Sequence, residues 1–227
     1  ESQRILAERE RLASLGEFAS MITHEIRSPL STIEMAFDYL RGISLPEKAI
    51  RRLDLASMES QRLQTLLNEI LLFAKPQVLV RKHVDMDVLI RECLATVEPS
   101  LDRQSTETKY RCLADDPEFD GDVDKLKQML INLVTNARQA AEDDQLVTVE
   151  LTDDNPEMLQ ISVRNPGRIA DDALSKLAEP FFTTKAQGTG LGLAIVKRIV
   201  DAHDGVLEIA NEHQPENVRV TVTLPRS

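Results

Sequence analysis

Apolar residues recur every seventh position early in the chain, at Ile5, Leu12, Ala19, Ile26 and Ile33. Leu15 and Ile22 lie three beyond Leu12 and Ala19, which completes an a/d seam of helical period. Gly42-Ile43-Ser44-Leu45-Pro46 interrupts it, and a second helical stripe runs through Leu53, Ala56, Leu63, Leu67, Ile70 and Ala74. That helix is predicted to stop near Lys75-Pro76, because proline disfavours helix at the residue before it. Two long amphipathic helices with a short connection form an antiparallel hairpin, which alone holds too little core to be stable. Pairing two hairpins gives a four-helix bundle, so the pattern predicts a homodimer whose seam extends N-terminally as a coiled coil. The alternative is a hairpin that packs only on its own C-terminal half.

From residue 77 the period changes. Asp85–Glu98 reads as a helix, and Asp122 as the N-cap of another that runs to about Ala141. Leu191–Ala202 reads as a third, closed by Asp204-Gly205. Thr108–Leu113, Leu146–Leu151, Leu159–Val163, Val206–Ala210 and Val218–Leu224 read as strands, rich in β-branched residues. The expected organisation is a helical hairpin over 1–76 and, over 77–227, an α/β sandwich of helices against one mixed sheet.

The composition narrows the function classes. Of the 227 residues, 42% are hydrophobic and 29% charged, which excludes a wholly disordered chain. A formal net charge of −11 excludes the basic footprint of a nucleic-acid binder and a polybasic membrane patch. No apolar run reaches the roughly 20 residues that span a bilayer. The sequence starts at Glu1 rather than Met, so it reads as a fragment whose upstream sensor or membrane segments lie outside it. Cys93 falls in the apolar pattern of Val88, Leu89 and Val97, which suits a reduced core thiol in a cytoplasmic protein; with Cys112 it makes no disulfide framework.

Four blocks carry candidate chemistry. In Phe18–Leu30, His24 falls at the exposed f position, Glu25 follows it, and Pro29 cannot donate a backbone bond to the Glu25 carbonyl. A kink one turn beyond His24 is therefore expected. An imidazole with one N–H held by a carboxylate offers its other nitrogen as a nucleophile. In Gln128–Ala141, Asn132 and Asn136 are i, i+4 on one helix face beside Leu130, Leu133 and Ala137. Mid-helix asparagines are unfavourable, and amide oxygens suit a hard cation that also holds phosphates. Asn165-Pro166-Gly167 reads as a turn after a strand, where a side-chain oxygen meets the exocyclic amine of a base. Glu179–Lys185 and Gly188-Thr189-Gly190-Leu191-Gly192 precede a helix, so backbone N–H groups there can approach an anion. Arg168–Gln187 has few structural signals and reads as a lid.

Taken in this order, the blocks closely resemble the cytoplasmic core of the sensor histidine kinases of two-component systems. Phe18–Leu30 resembles the H box, Gln128–Ala141 the N box, Asn165–Ile169 the G1 box, Glu179–Lys185 the F box and Gly188–Leu193 the G2 box. The resemblance implies a histidine-phosphotransfer hairpin followed by a Bergerat-type (GHKL) ATP-binding domain. It implies that the γ-phosphoryl group of ATP passes to His24 and then to an aspartate in the receiver domain of a response regulator. Glu25 matches the acid/base partner, Asn132 and Asn136 the Mg²⁺- and phosphate-facing asparagines with Asn136 on the metal, and Gly188, Thr189, Gly190, Leu191 and Gly192 the phosphate-side loop.

Three departures stand out. Asn165 replaces the adenine-binding aspartate, and the G1 segment keeps Gly167 but loses its second glycine. Gln139 replaces an N-box lysine, with Arg138 or Lys185 as the alternative sources of that charge. Ser28 stands where the family's phosphatase Thr or Asn lies. The acidity is concentrated in 77–227, so ATP there needs Mg²⁺ and local donors. Two rival classes stay open: a Bergerat-type ATPase without phosphohistidine, and a degenerate dimeric scaffold. His83, His203 and His213 have no matching context and read as structural or surface residues.

Overall fold

The computed structural model describes residues 26–75, 78–97, 106–142, 144–185, 188–213 and 216–226. Backbone contacts divide the chain into two compact units, Glu1–Pro76 and Gln77–Ser227.

In the first unit, helix α1 runs over 26–41 and α2 over Glu47–Ala74. Pro46 precedes α2, where its missing N–H costs nothing, and its carbonyl accepts from Ala49 and Ile50. Lys75 is extended and ends the helix. Leu30 is buried on α1, with Phe37 and Leu40 half-buried, and Leu53, Ser57, Ser60, Phe73 and Ala74 are buried on α2. Arg41 pairs with Asp54 at 3.6 Å across the hairpin. Of the α2 stripe read from the sequence, Leu53 and Ala74 are buried and Leu67 and Ile70 half-buried, whereas Leu63, with Ile26 and Ile33 of the α1 seam, is exposed on the single hairpin. Pro29 lies inside a helix that is continuous over 26–41, and the Glu25 carbonyl that it leaves without a backbone donor falls outside the described residues.

In the second unit, β2 (Glu107–Cys112), β4 (Leu146–Thr152), β5 (Met158–Pro166), β7 (Glu216–Pro225) and β6 (Val206–His213) form one sheet in the order β2-β4-β5-β7-β6. β2 runs parallel to β4 and the other neighbours are antiparallel. Alternate residues Val147, Val149 and Leu151 of β4 and Leu159, Ile161 and Val163 of β5 are buried. They meet α4 (Val123–Ala140), which packs between α3 (Met86–Val97) and α6 (Gly192–Ala202). The other face of the sheet carries a ladder of charge in which Glu150 pairs with Arg111 and Arg164, and Glu212 with Arg164 and Arg219.

The sequence missed the two-stranded pair β1 (Lys82–Asp85) and β3 (Glu118–Gly121), and α5 (Asp171–Leu174). Each is only four residues long, too short for a period to show. It also misplaced one turn: β5 continues through Asn165 and Pro166, paired with Val218 and Asn217, and the chain turns only at Gly167, whose φ is +119°.

Asp122 ties several elements together. One carboxylate oxygen accepts from Lys125 N–H at 3.2 Å, which caps α4, and the other accepts from Val80 N–H at 2.8 Å. Burial raises its pKa, but these backbone donors outweigh that and hold it below the usual carboxylate value. Its own N–H donates to Nε2 of the fully buried His203 at 3.1 Å, and His203 Nδ1 donates to the Ile199 carbonyl at 2.8 Å. That pairing requires the neutral ring, and burial pushes its pKa below 6.5.

Asp122→Ala should destabilise the second unit by about 1–2 kcal/mol in denaturant melts, through loss of the cap. His203 sets a second expectation. Its folded pKa is depressed, so below about pH 6.5 the unfolded chain binds the extra proton and stability falls with pH. His203→Gln should flatten that part of the pH–stability curve between about pH 6.5 and 5, and an unchanged slope would contradict the assignment.

Candidate functional site

The site is built where α4 meets the start of α6. Asn132 and Asn136 share the α4 face that looks away from the sheet core, one turn apart. Asn132 Nδ2 donates to the Gly192 carbonyl at 3.3 Å, and its Oδ1 accepts from Gln128 Nε2 at 3.3 Å. A Cβ at Gly192 would lie 3.1 Å from Asn136 Nδ2 and 3.7 Å from its Oδ1, so glycine keeps that amide accessible. Lys185 reaches into the same cluster. Its Nζ donates to the Asn136 carbonyl at 3.2 Å and to Gln139 Oε1 at 3.1 Å, with Asn136 Oδ1 at 3.5 Å. Burial pushes its pKa below the usual lysine value.

The loop before α6 is held by close backbone approach. Phe181 N–H donates to the Gly190 carbonyl at 3.0 Å. Gly190 has φ +70°, and a Cβ there would fall 2.5 Å from the Phe181 carbonyl carbon. Gly188 N–H donates to the Lys185 carbonyl at 3.2 Å, and a Cβ at 188 would fall 2.4 Å from Thr183 Oγ1. Leu191 N–H donates to Thr189 Oγ1 at 3.4 Å, and the Leu191 side chain is fully buried as the anchor.

Asn165 and Gly167 stand at the end of β5. Asn165 is 7% exposed, and its Nδ2 donates to the Pro166 carbonyl at 3.0 Å. No described side chain links them directly to the Asn132–Lys185 cluster. Arg138 is also apart. It is 4% exposed, and its Nη1 donates to Thr108 on β2 at 3.1 Å. Of the two alternative sources of positive charge, the structure brings Lys185 to Gln139 and directs Arg138 to the sheet. Cys93 is a buried thiol, its pKa pushed up to about 11 by burial.

Asn211 was not singled out in the sequence. Its Oδ1 accepts from Ile169 N–H at 3.0 Å, and its Nδ2 donates to the Ile169 carbonyl at 2.7 Å, which fixes the segment after Gly167. An asparagine within β6 was the available signal, since the residue is depleted in strands.

In the hairpin, Ser28 is exposed, and its carbonyl accepts from Thr32 Oγ1 at 3.2 Å. Arg27 Nη2 donates to Asn68 Oδ1 at 3.0 Å. His24 and Glu25 lie outside the described residues.

The family model for the "His Kinase A (phospho-acceptor) domain" matches residues 14–78. The model for "Histidine kinase-, DNA gyrase B-, and HSP90-like ATPase" matches residues 121–227. The nucleotide-free catalytic domain of histidine kinase ThkA is 30% identical with a TM-score of 0.59, over 64% of this chain and 95% of that one. This chain belongs to the two-component sensor histidine kinases. Its second unit is the GHKL, ATP-binding domain of that family. Sensor histidine kinase ZraS of Escherichia coli (strain K12) is 37% identical over 208 residues, 90% of this chain and 44% of ZraS. A solved complex of ThkA with the response regulator TrrA has a TM-score of 0.71 at 30% identity, over 96% of this chain and 64% of that one. The chain spans under half the length of the curated relatives it matches.

Gly190→Ala should disrupt the loop before α6, since it adds strain of about 1–3 kcal/mol from φ alone and a clash with Phe181. Calorimetry should show ATP affinity reduced by at least about tenfold, with far-UV circular dichroism unchanged. Unaltered affinity would remove the loop from the site.

Proposed function

We propose that the chain is the catalytic core of a protein histidine kinase that phosphorylates itself on His24 and passes the group to an aspartate of a response regulator. The observation that supports this most is the pairing, in one chain, of a phosphoacceptor-type hairpin with a domain in which Asn132, Asn136 and Lys185 converge on Gly192. In the transfer, a nitrogen of His24 attacks the γ-phosphorus, the P–N bond forms, the bond to the β,γ-bridging oxygen breaks, and ADP leaves with those electrons. Glu25 keeps the imidazole oriented. Such transfer rests on positioning and charge stabilisation.

The residues have distinct roles in this reading. Asn165 Oδ1 accepts from the adenine amine, and Gly167 leaves open space beside it, since a Cβ at 167 would meet nothing within 4 Å. The loop of Gly188, Thr189, Gly190, Leu191 and Gly192 is the phosphate-side loop in this reading, shaped by its internal bonds from the Gly188 and Leu191 N–H groups, and Gln139 and Lys185 bound the same cluster. Asn136 fits Mg²⁺: its amide oxygen is a neutral hard donor, and glycine at 192 leaves room beside it. Bound there, Mg²⁺ would neutralise charge on the phosphates. Arg138 takes no part, because its guanidinium serves β2.

The partners follow from the same reading. The exposed Ile26, Ile33 and Leu63 suit burial against a second copy in a four-helix bundle. The ThkA–TrrA complex supports a response regulator receiver domain as the acceptor. In this reading the exposed Ser28, four residues after His24, orients water for a phosphatase reaction. Among the described residues no helix is long and apolar enough to cross a membrane; we assign the core to the cytoplasm, where ATP and the regulator meet it. The rival ATPase without phosphohistidine needs a carboxylate base at 132, where Asn132 is an amide that donates to a carbonyl.

Incubation with γ-labelled ATP and Mg²⁺ should give an acid-labile, alkali-stable phosphoryl group on the wild-type chain. The label should be absent from His24→Ala and reduced at least about a hundredfold in Asn136→Ala. Label that survives His24→Ala would reject the acceptor, and steady phosphate release without labelled protein would favour the ATPase.

A further inference from the structure

Asn211 lies within β6, at the edge of the five-stranded sheet. Leu207 and Ile209 stand opposite Val222 and Val220 of β7 on the helix-facing side, and Asn211 is the next residue of that face. It is opposite Val218, which in turn is opposite Asn165 of β5. The three side chains therefore form one row, with the two asparagines two strand spacings apart, about 10 Å. The chain leaves β5, turns at Gly167 and reaches Asn211 at Ile169. There one amide serves both backbone groups of a residue: Oδ1 accepts from Ile169 N–H at 3.0 Å, and Nδ2 donates to the Ile169 carbonyl at 2.7 Å. The same Nδ2 donates to Asp171 Oδ1 at 3.2 Å, and Asp171 pairs with Arg168 at 3.5 Å. Packing gives no reason for an asparagine inside a strand. Ile169 is only half-buried, so water can serve its backbone groups if Asn211 does not. The contact thus contributes position more than stability.

We infer that Asn211 is a positioning residue for base recognition: by holding both backbone groups of Ile169 it sets where the turn at Gly167 and Arg168 stands beside Asn165, and so how well Asn165 meets the 6-amino group of the purine. This rests on the reading of Asn165 given above and deepens it. Asn211 acts through Ile169, since its own Oδ1 and Nδ2 are both engaged there. Gly167 cannot fix the turn by itself. Its N–H donates to the Glu216 carbonyl at 3.2 Å, which ties the start of the turn, but a glycine at φ +119° leaves the direction of the next residues free. The Arg168–Asp171 pair is exposed and adds little. Asn211 supplies the second tie, and its bonds go to this segment rather than to the loop before α6.

The test is calorimetric titration of the intact chain, with Mg²⁺, by ATP and by purine riboside triphosphate, which lacks the 6-amino group. Wild type, Asn211→Ala and Asn211→Ser are compared, with thermal melts of each. Wild type should prefer ATP. Asn211→Ala should weaken ATP by about fivefold to thirtyfold, as one hydrogen bond is misplaced, and change the deamino analogue by less than about twofold, so that the preference collapses. Its melting midpoint should fall by no more than about 4 °C. Asn211→Ser, whose hydroxyl can keep one of the two bonds, should fall between wild type and Asn211→Ala. Equal weakening of both nucleotides, or loss of cooperative melting, would make Asn211 a structural tie and overturn the inference. Unchanged ATP affinity overturns it equally. If wild type itself binds the two nucleotides alike, the reading of Asn165 fails, an outcome distinct from the others.

Discussion

The site depends on how closely α4 can approach the first residue of α6. That approach exists because residue 192 has no side chain: a Cβ there would press on the Asn136 amide. It is closed by one bond, from Asn132 to the Gly192 carbonyl. With it in place, Asn132 meets Gly192, Asn136 lies against the same residue, and the Lys185 ammonium reaches Asn136 and Gln139. Without it, the same residues are polar decoration on separate elements. Mid-helix asparagines are poor helix formers, so their presence on α4 is a local cost that the site explains.

The same helix is secured at its other end. Asp122 caps α4, receives the entering chain at Val80, and is held by His203 at the end of α6. The two helices α4 and α6 therefore meet again at one carboxylate and one neutral imidazole. Arg81 and Asp204 add an ion pair at 3.1 Å beside them, exposed enough to contribute little alone.

Much of this was legible in the sequence, for physical reasons that vary by element. The two long helices and the five sheet strands showed because each is long enough for a period of 3.6 or 2 to repeat. The N-cap at Asp122 showed because capping chemistry is local. The β1–β3 pair was invisible, since four residues carry no period and their pairing is made between distant segments. The α2 stripe was legible at Leu53 and Ala74, which are buried, while Ile26, Ile33 and Leu63 of the predicted seams stay exposed on the single hairpin. Asn132 and Asn136 were marked by their cost. The choice between Arg138 and Lys185 was beyond reach, because it turns on which side of α4 faces the sheet at its last turn.

The most direct measurement is side-chain amide NMR of the chain labelled with ¹⁵N at asparagine and glutamine, titrated with a non-hydrolysable ATP analogue and Mg²⁺. The account predicts that the amide signals of Asn132, Asn136 and Asn165 shift together and saturate, while Asn155, in the turn before β5 where its Oδ1 accepts from Glu157 N–H, stays near its starting position. Saturation of the nucleotide elsewhere, with the Asn132 and Asn136 signals unmoved, would contradict it.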